Sequence, residues 1–374
     1  MLNWKNIFFA GLIILSLGCH SGRSIQNITS LTRNEPFNKI GENCVPLTEY
    51  YVDYQSNVYI ANFHRTTIDK FSKEGKFLLS FGRKGEGPGE FKFLYPFAAN
   101  SKGELYVSNY LQKQIMVFSK TGSLTKIIST PEPFIKMKFT IADSLILLSK
   151  DRNYGEKVYL MRKNGEKVDF MLLRQDYKRS IKDLQNPIPL PVFNLAFTGD
   201  EHGNIYVGDS CDYIIYVFSQ KGELTKKRKI KWEKEEIKET DYKVHFLKEN
   251  SGALPGEDLT AIEILKKNVK NLKGQFKYFP AIIDMDYSNG KLYVWTSKTT
   301  GNGNFIIDVY NSNFQLLYKR YGYNCLVYTS NVSVYIRGKD VFVPDFDEGI
   351  ITGRLSCPVK LRNSGGIFRF ELNE

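Results

Sequence analysis

The chain has 374 residues, a formal net charge of +12, and 42% hydrophobic and 14% aromatic residues. This apolar content excludes a disordered chain, because it is enough to bury a large core. The excess of basic residues favours acidic partners. For an exported protein, these are glycans, lipid headgroups and acidic proteins before nucleic acid.

The N-terminus is typical of an export signal. Lys5 precedes an apolar run from Ile7 to Leu17, which is shorter than a membrane span needs. Ser16-Leu17-Gly18-Cys19 resembles a bacterial lipobox, although the usual leucine, Leu15, stands one place too early. The resemblance implies a lipoprotein signal peptide over 1–18 and lipidation of Cys19. An ordinary secretory signal with a chance cysteine is the alternative.

The residue that follows the cysteine is His20. An aspartate there would imply retention in the inner membrane, so the resemblance implies an anchor in the outer membrane of the bacterial cell envelope. Residues 19–40 then form a tether, and 41–374 remain for the folded domain.

The other cysteines are Cys44, Cys211, Cys325 and Cys357. They contain no C-x-x-C pair, which argues against a zinc knuckle. In an oxidising compartment one or two disulfides are expected, and the nearest pair in sequence is Cys325 with Cys357. Their connectivity stays open.

The stretch SFGRKGEGPGEF, Ser80–Phe91, is rich in glycine and contains lysine, as a phosphate-binding loop does. A P-loop places Gly-Lys-Ser/Thr at the start of a helix. Here Lys84 precedes the last glycines, Pro88 lies inside the loop, and the following residues alternate as in extended chain. We therefore interpret the stretch as a wide turn between two strands, in which glycine supplies positive φ.

The chain contains six copies of one pattern, which indicates a repeat fold. Each copy has a short apolar strand, a loop, an alternating strand, a glycine-containing turn and a further apolar strand. The three closest copies are Asn57–Gly82, Glu104–Ile128 and Asn204–Ile230. The weaker copies are Leu145–Leu172, Lys291–Gly322 and Asp340–Leu372.

A further extended segment precedes the copies, so each unit holds four antiparallel strands. These segments are Phe97–Asn100, Phe134–Ala142, Val192–Thr198, Ala281–Tyr287 and Val332–Arg337. Such units predict an all-β fold, a six-bladed β-propeller of four-stranded antiparallel blades. A β-sandwich or solenoid with accidental similarity is the alternative. We expect a strand from within 25–47, partly in the tether, to close the ring against the last unit.

The second unit resembles an NHL repeat, as found in six-bladed propeller lipoproteins of bacteria. The matching residues are Gly85, Gly87, Gly89, Phe91, Pro96, Gly103, Leu105, Tyr106, Val107, Asn109, Ile115, Val117, Phe118 and Gly122. The resemblance covers about residues 43–372. It implies that the glycine-rich stretch connects the outer strand of blade 1 to the inner strand of blade 2.

Propeller geometry sorts the loops onto two faces. Because successive strands alternate in direction, the second-to-third loops share one face with the blade-to-blade connections, and we call it the crossing face. It receives the irregular segments, including 183–191 and an insert over about 232–278 between blades four and five. Apolar residues from Leu259 to Leu272 recur at three- and four-residue steps, which predicts a helix, and a weaker helical pattern covers 233–248. This helical insert is expected either to cover the crossing face as a lid or to pack on the edge of blade four.

The second-to-third loops supply the candidate ligand-binding residues. Four polar residues directly follow a strand, where such side chains cap their own turn, and we interpret them as structural: Asn62, Asn109, Asp209 and Asp345. The freer residues form the candidate ligand-binding set: His64, Arg65, Tyr110, Arg152, Asp212 and Asp347. No G-x-S-x-G or H-E-x-x-H motif is present, so no catalytic residue and no metal ligand is assigned.

Two functions agree with these features. The first is a non-catalytic, lipid-anchored binding or scaffolding module for a protein or an acidic envelope polymer, with no cofactor and no nucleic acid. The second is an enzyme, because some six-bladed propellers of related appearance are lactonases, hydrolases or lyases that hold calcium or another divalent ion. Its ion would be bound by Asp151, Asp212, Asp345 and Asp347. The aromatic and basic loop residues favour the binding module.

Overall fold

The predicted units form antiparallel β-sheets in a computed structural model. The structure describes residues 50–62, 65–94, 96–150, 155–162, 170–175, 195–238, 270, 277–299, 305–322, 333–344 and 367–371. Five sheets have four strands each, and the sixth has three described strands. Each sheet is built from strands that follow one another in the chain, as expected for the blades of a propeller.

The first three blades occupy residues 50–175. Blade 1 consists of β1 Tyr50–Val52, β2 Val58–Asn62, β3 Thr67–Phe71 and β4 Phe77–Phe81. Blade 2 consists of β5 Phe97–Ala99, β6 Leu105–Asn109, β7 Gln114–Phe118 and β8 Leu124–Ser129. Blade 3 consists of β9 Lys136–Phe139, β10 Leu145–Lys150, β11 Glu156–Met161 and β12 Phe170–Gln175.

The remaining blades follow in the same order. Blade 4 consists of β13 Ala196–Gly199, β14 Ile205–Asp209, β15 Ile214–Phe218 and β16 Leu224–Lys229. Blade 5 consists of β17 Ile282–Ser288, β18 Lys291–Thr299, β19 Phe305–Asn311 and β20 Leu316–Gly322. Blade 6 contains β21 Tyr335–Arg337, β22 Asp340–Pro344 and β23 Ile367–Glu371. These bounds confirm the predicted repeat.

The first strands of the blades form the innermost ring of the propeller. Neighbours along this ring, from β1 through β5, β9, β13 and β17 to β21, contact one another. The last and first blades also meet, because Arg337 Nη2 donates to the Val52 carbonyl at 2.7 Å. The ring is therefore closed at its inner edge. The segment within 25–47 that is predicted to close the outer edge lies outside the described residues.

Local side-chain chemistry shapes the turns opposite the crossing face. In the third-to-fourth turns of blades 1, 2 and 4, a serine oxygen accepts from the amides two and four residues later, at 3.2–3.4 Å. These serines are Ser72, Ser119 and Ser219. Asp53 and Asp200 accept in the same way in first-to-second turns, at 2.8–2.9 Å. The repeated turn sequence thus repeats one hydrogen-bond pattern.

The glycine-rich stretch connects β4 to β5, as predicted. Within it, Phe91 donates its amide to the Arg83 carbonyl at 2.7 Å, and its ring is buried 5.7 Å from that of Phe118. Gly82 has a φ of +68°, and a Cβ there would lie 2.1 Å from the Phe91 ring. Glycine is required at this position to let the ring fill the seam between blades 1 and 2.

The predicted helical insert lies mostly outside the described residues. Its first residues, 232–238, are irregular apart from one antiparallel bridge between Glu236 and Tyr278, and they are not helical, which corrects the prediction there. They pair with the end of the insert: Ile237 donates to the Lys277 carbonyl and Phe279 donates to the Glu235 carbonyl, each at 2.9 Å. Burial of Ile237 and Phe279 favours this pairing over a helix, because it places both side chains in the apolar interior. Lys270, inside the predicted helix, is helical.

Candidate functional site on the crossing face and in the channel

Arg65 lies in the second-to-third loop of blade 1, on the crossing face. Its guanidinium forms an ion pair with Asp69, whose carboxylate is buried, while 58% of the Arg65 side chain is exposed. The same carboxylate accepts from Asn62 Nδ2 at 2.9 Å, from Thr67 Oγ1 at 3.0 Å and from Ser80 Oγ at 2.7 Å. Arg65 therefore helps to neutralise a buried acid and has a structural role as well as an exposed surface.

Tyr110 lies in the corresponding loop of blade 2, and two other large apolar side chains are exposed at the same end of this blade. The exposed fractions are 40% for Tyr110, 63% for Leu111 and 55% for Phe93, which belongs to the connection from blade 1. The Ser108 amide, near the end of β6, donates to the Pro96 carbonyl just before β5 at 2.9 Å, so the loop and the connection lie at the same end of blade 2. We call Phe93, Tyr110 and Leu111 the blade 2 patch.

Asp212 lies in the second-to-third loop of blade 4, where it contacts the base of the insert. Its carboxylate is 3.0 Å from Lys234 Nζ, and both side chains are about half exposed. Lys234 in turn lies 5.9 Å from the centroid of the Tyr278 ring, at the other end of the insert. Asp212 is thus engaged in holding the insert at its base.

The structure places Arg65, Tyr110 and Asp212 on one face, in loops of blades 1, 2 and 4. Arg65 and Asp212 are engaged by different partners, Asp69 and Lys234. The remaining candidates His64, Arg152 and Asp347, the lipidation site Cys19, and the proposed metal ligands Asp151 and Asp345 lie outside the described residues.

Three of the four polar residues at strand ends lie in the described part of the chain, and their predicted structural role is confirmed. Asn62 Oδ1 accepts from the Arg65 amide at 3.2 Å, and Asp209 Oδ1 accepts from the Cys211 amide at 2.9 Å. Asn109 Oδ1 accepts from the Gln112 amide in the same loop at 3.4 Å. Cys211 itself is a reduced cysteine. Burial and the neighbouring Asp209 raise the pKa of its thiol, so it is a poor nucleophile.

Ion pairs that the sequence interpretation missed fill part of the central channel. Lys136 Nζ lies 3.3 Å from Asp284 Oδ1, and Lys138 Nζ lies 3.3 Å from Asp286 Oδ1. Arg337 Nη1 lies 2.8 Å from Asp286 Oδ2. These five residues, which we call the channel ladder, join the inner strands of blades 3, 5 and 6. A signal was available, since K-x-K and D-x-D in strands place both charges on one side of the sheet.

The deeper end of the channel ladder is almost fully shielded from water. The side chains of Lys138, Asp286 and Arg337 are 1%, 0% and 2% exposed. Arg337 also donates Nε to the Asp53 carbonyl at 3.0 Å, and its guanidinium lies 4.3 Å from the centre of the Tyr54 ring. Burial opposes the charge of Asp286, but Lys138 and Arg337 outweigh it and hold its pKa below the usual range. This end of the channel is closed by satisfied charges.

A buried acid lies at the crossing-face end of the seam between blades 3 and 4. Glu156 Oε2 accepts from the Leu195 amide at 2.6 Å, and Oε1 lies 3.4 Å from Lys150 Nζ. Burial raises the pKa of Glu156 to about 7, and the attraction of Lys150 only partly offsets it. This carboxyl is able to exchange a proton near neutral pH.

Among the residues that the structure describes, no group of three or more His, Cys, Asp or Glu side chains is placed to hold a metal ion. Within those same ranges, no helix combines the length and apolar character needed to cross a membrane.

Comparison with known proteins identifies the family. The family model DUF5128, described as a 6-bladed beta-propeller, matches residues 50–242, just over half of the chain. The chain belongs to this family. It is therefore an all-β, six-bladed propeller with four-stranded antiparallel blades, as the repeat predicted. None of the curated proteins compared with this DUF5128 chain matches it significantly.

Three solved structures are similar to this DUF5128 propeller, and the first of them supports the fold alone. A member of the DUF4221 family from Bacteroides vulgatus is 8% identical, with a TM-score of 0.53 over 93% of this chain and 99% of that one. An exported protein from Bacteroides fragilis is 12% identical, with a TM-score of 0.46 over 94% and 95% of the two chains. A gluconolactonase from Xanthomonas campestris is 9% identical, with a TM-score of 0.45 over 93% and 95%.

Proposed function

We propose that this propeller is a non-catalytic binding or scaffolding module of the NHL-repeat lipoprotein type. In this proposal Cys19 is lipidated and anchors the chain in the outer membrane of a bacterial cell envelope. The crossing face then binds a protein or an acidic envelope polymer. The observation that carries the proposal is the blade 2 patch, in which three large apolar side chains are 40–63% exposed on one face.

The patch has the composition of a recognition surface. Exposed large apolar side chains that cluster on one face, with polar residues around them, mark interaction sites. Here the neighbouring cations are Arg83, paired with Glu90 at 2.8 Å, and Lys92, paired with Glu86 at 2.7 Å. These pairs lie in the same blade-to-blade connection as Phe93.

The backbone beneath the patch is already ordered by its own hydrogen bonds. The Glu90 carboxylate accepts from the Gly87 amide at 2.9 Å, and Asn109 caps the turn that carries Tyr110. A partner therefore meets a preorganised surface, which lowers the entropy cost of binding.

The test compares two pairs of apolar substitutions in a Cys19→Ser background, so that no lipid contributes. Tyr110→Ala with Leu111→Ala removes the crossing-face contact. Leu316→Ala with Leu317→Ala removes side chains of similar exposure, 39% and 44%, from the outer strand of blade 5. We expect the first pair to weaken saturable binding to isolated bacterial envelopes at least about tenfold, since central apolar residues contribute most binding energy. If both double variants bind the envelopes as tightly as the parent chain does, the proposal is refuted.

The second candidate, a divalent-metal-dependent hydrolase, lactonase or lyase, makes a different prediction. Of its four proposed ligands, Asp212 is paired with Lys234, and the others lie outside the described residues. Elemental mass spectrometry on protein purified in calcium and magnesium and then desalted tests it. About one tightly held ion per chain would favour the enzyme, and Asp→Ala substitutions at 151, 212, 345 and 347 would then follow.

A further inference from the structure

The outer strand of blade 4 is strongly basic. β16 is the last strand of its sheet, its sequence is Leu-Thr-Lys-Lys-Arg-Lys, and all six residues are exposed. Lys231, which follows shortly after, is exposed as well. We call Lys226, Lys227, Arg228, Lys229 and Lys231 the basic edge. It lies on the rim of the propeller and is distinct from the blade 2 patch.

The charges of the basic edge are only slightly compensated, since Asp209 attracts Lys227 without forming an ion pair with it. No carboxylate in the described part of the chain forms an ion pair with any of its five residues, whereas one cation in the last described strand of each of blades 5 and 6 is paired. Lys319 in β20 lies 3.0 Å from Asp308, and Arg369 in β23 lies 2.9 Å from Asp340. A concentration of cations without ion pairs is therefore a property of this edge.

Two lysines of the basic edge rest on aromatic rings. Lys226 Nζ lies 5.1 Å from the centroid of the Phe314 ring, and Lys227 Nζ lies 5.2 Å from that of Tyr216. Such contacts hold the lysine side chains over the sheet while they leave the charge available to an anion.

Protection of a sheet edge does not explain this composition. Lysine on an edge strand prevents pairing with another chain, and one or two residues are enough for that. The outer strand of blade 1, β4, has the sequence Phe-Leu-Leu-Ser-Phe, with Phe77 49% exposed and no charged residue. The other described outer strands carry fewer cations than β16: one each in β8 and β12 and two in β20. Edge protection therefore accounts for one or two cations on such a strand but not for the four of β16.

The arrangement of the cations matches a linear polyanion. Side chains alternate along a strand, so Lys226 and Arg228 lie on one side and Lys227 and Lys229 on the other. Neighbours on one side are about 7 Å apart, and the strand is about 20 Å long. The row is long and one strand wide, whereas a membrane surface would contact cations spread over an area.

The chemistry of the row selects among linear polyanions. Lysine ammonium groups bind carboxylate, sulfate or phosphate as point charges and need no bidentate geometry. Single-stranded nucleic acid would require exposed aromatic rings for base stacking. β16 contains none, and the Phe314 ring beneath Lys226 is buried. The Tyr216 ring is partly exposed, but Lys227 lies over it. We propose that the basic edge binds an acidic polysaccharide.

The test replaces the four cations of β16 in the full chain. Lys226→Gln, Lys227→Gln, Arg228→Gln and Lys229→Gln are combined, and binding is measured in about 0.1 M salt. The polysaccharide probes are heparin, which is sulfated, and polygalacturonate, which is carboxylated. A matched control removes the same charge from exposed lysines in turns of the opposite face: Lys76, Lys102, Lys120 and Lys339. Unchanged circular dichroism establishes that both variants fold.

We expect the β16 variant to bind at least one polysaccharide about tenfold or more weakly than the parent chain, with a shallower salt dependence. The affinity of the control variant for the same polysaccharide should fall by less than about threefold. An equal loss in both variants would show that only net charge matters and would overturn the inference. Unchanged polysaccharide binding with new self-association of the β16 variant would instead assign the lysines to edge protection.

Two further probes separate the other partner classes. Parent protein that binds phosphatidylglycerol vesicles or a single-stranded DNA oligonucleotide through β16, but neither polysaccharide, would contradict the proposed class. Because the blade 2 patch is intact in both variants, a result that overturns polysaccharide binding by β16 leaves the proposed crossing-face function untouched. The Tyr110→Ala and Leu111→Ala test in turn leaves the basic edge intact, so its failure does not bear on β16.

Discussion

The buried carboxylate of Asp286 offers the sharpest test of the channel ladder. Asparagine at this position keeps the shape but removes the charge that Lys138 and Arg337 face at 3.3 and 2.8 Å. Both cations are almost fully buried, so water cannot replace the lost partner. Breaking a buried pair in this way costs roughly 3–5 kcal/mol. That is a large part of the roughly 5–15 kcal/mol by which a protein is stable.

Two other ion pairs provide a graded comparison. Asp284→Asn affects Lys136, whose side chain is 17% exposed and can turn toward water, so we expect a cost of roughly 1–3 kcal/mol. Glu86→Gln breaks the pair with Lys92, where the side chains are 72% and 55% exposed, and should cost less than about 1 kcal/mol. Burial alone predicts this order.

Urea unfolding followed by tryptophan fluorescence measures the series, because Trp295 is buried in blade 5. If Asp286→Asn is too unstable to measure, addition of Lys138→Met should restore part of the stability, since it removes one of the two uncompensated charges. Equal losses of unfolding free energy for Asp286→Asn and Glu86→Gln would refute the reasoning.

The pH dependence supplies an independent check on Asp286. Its pKa is depressed in the folded protein, so its contribution is present above the usual aspartate pKa and is lost as the pH falls. The parent chain should lose stability below about pH 4. Asp286→Asn should lack this component, and an identical acid transition in both would contradict the assignment.

Two further predictions concern a glycine and a raised pKa. Gly82→Ala should destabilise the protein more than Gly290→Ala in the same urea assay. Both glycines have positive φ, but of the two only Gly82 has a ring, that of Phe91, where the added Cβ would lie. Equal losses of unfolding free energy would contradict this. The raised pKa of Glu156 means that the folded state favours its protonated form, so stability falls as the pH rises from about 4.5 toward about 7. Glu156→Gln should remove this fall in unfolding free energy, which is worth up to roughly 3 kcal/mol. An unchanged slope of unfolding free energy against pH in the variant would contradict the prediction.

The fold was readable from sequence because its determinants are local and repeated. A serine in the third-to-fourth turn or an aspartate in the first-to-second turn hydrogen-bonds amides within four residues, so each copy carries its own turn signal. The strands between these turns are short and apolar, and all six predicted units appear in order. The start of the insert was misread, because burial of Ile237 and Phe279 depends on a partner more than thirty residues away.

The candidate site was predicted as a face rather than as a set of contacts. Strand alternation alone places Arg65, Tyr110 and Asp212 on the crossing face, and the structure has them in those loops. Their partners were not predictable in the same way. Asp69, which binds Arg65, is near in sequence, but Lys234, which binds Asp212, belongs to the base of the insert.

The sequence by itself determined the repeat, the strand order, the turn chemistry and the glycine at position 82, since each depends on residues close together in the chain. Only the tertiary structure decided which charges meet in the channel. Lys138 and Asp286 are 148 residues apart, and Arg337 reaches Val52 across 285 residues. A strand pattern shows on which side of the sheet a charge lies. Which counter-ion it meets depends on closure of the ring of blades, which brings distant strands together and excludes water from between them.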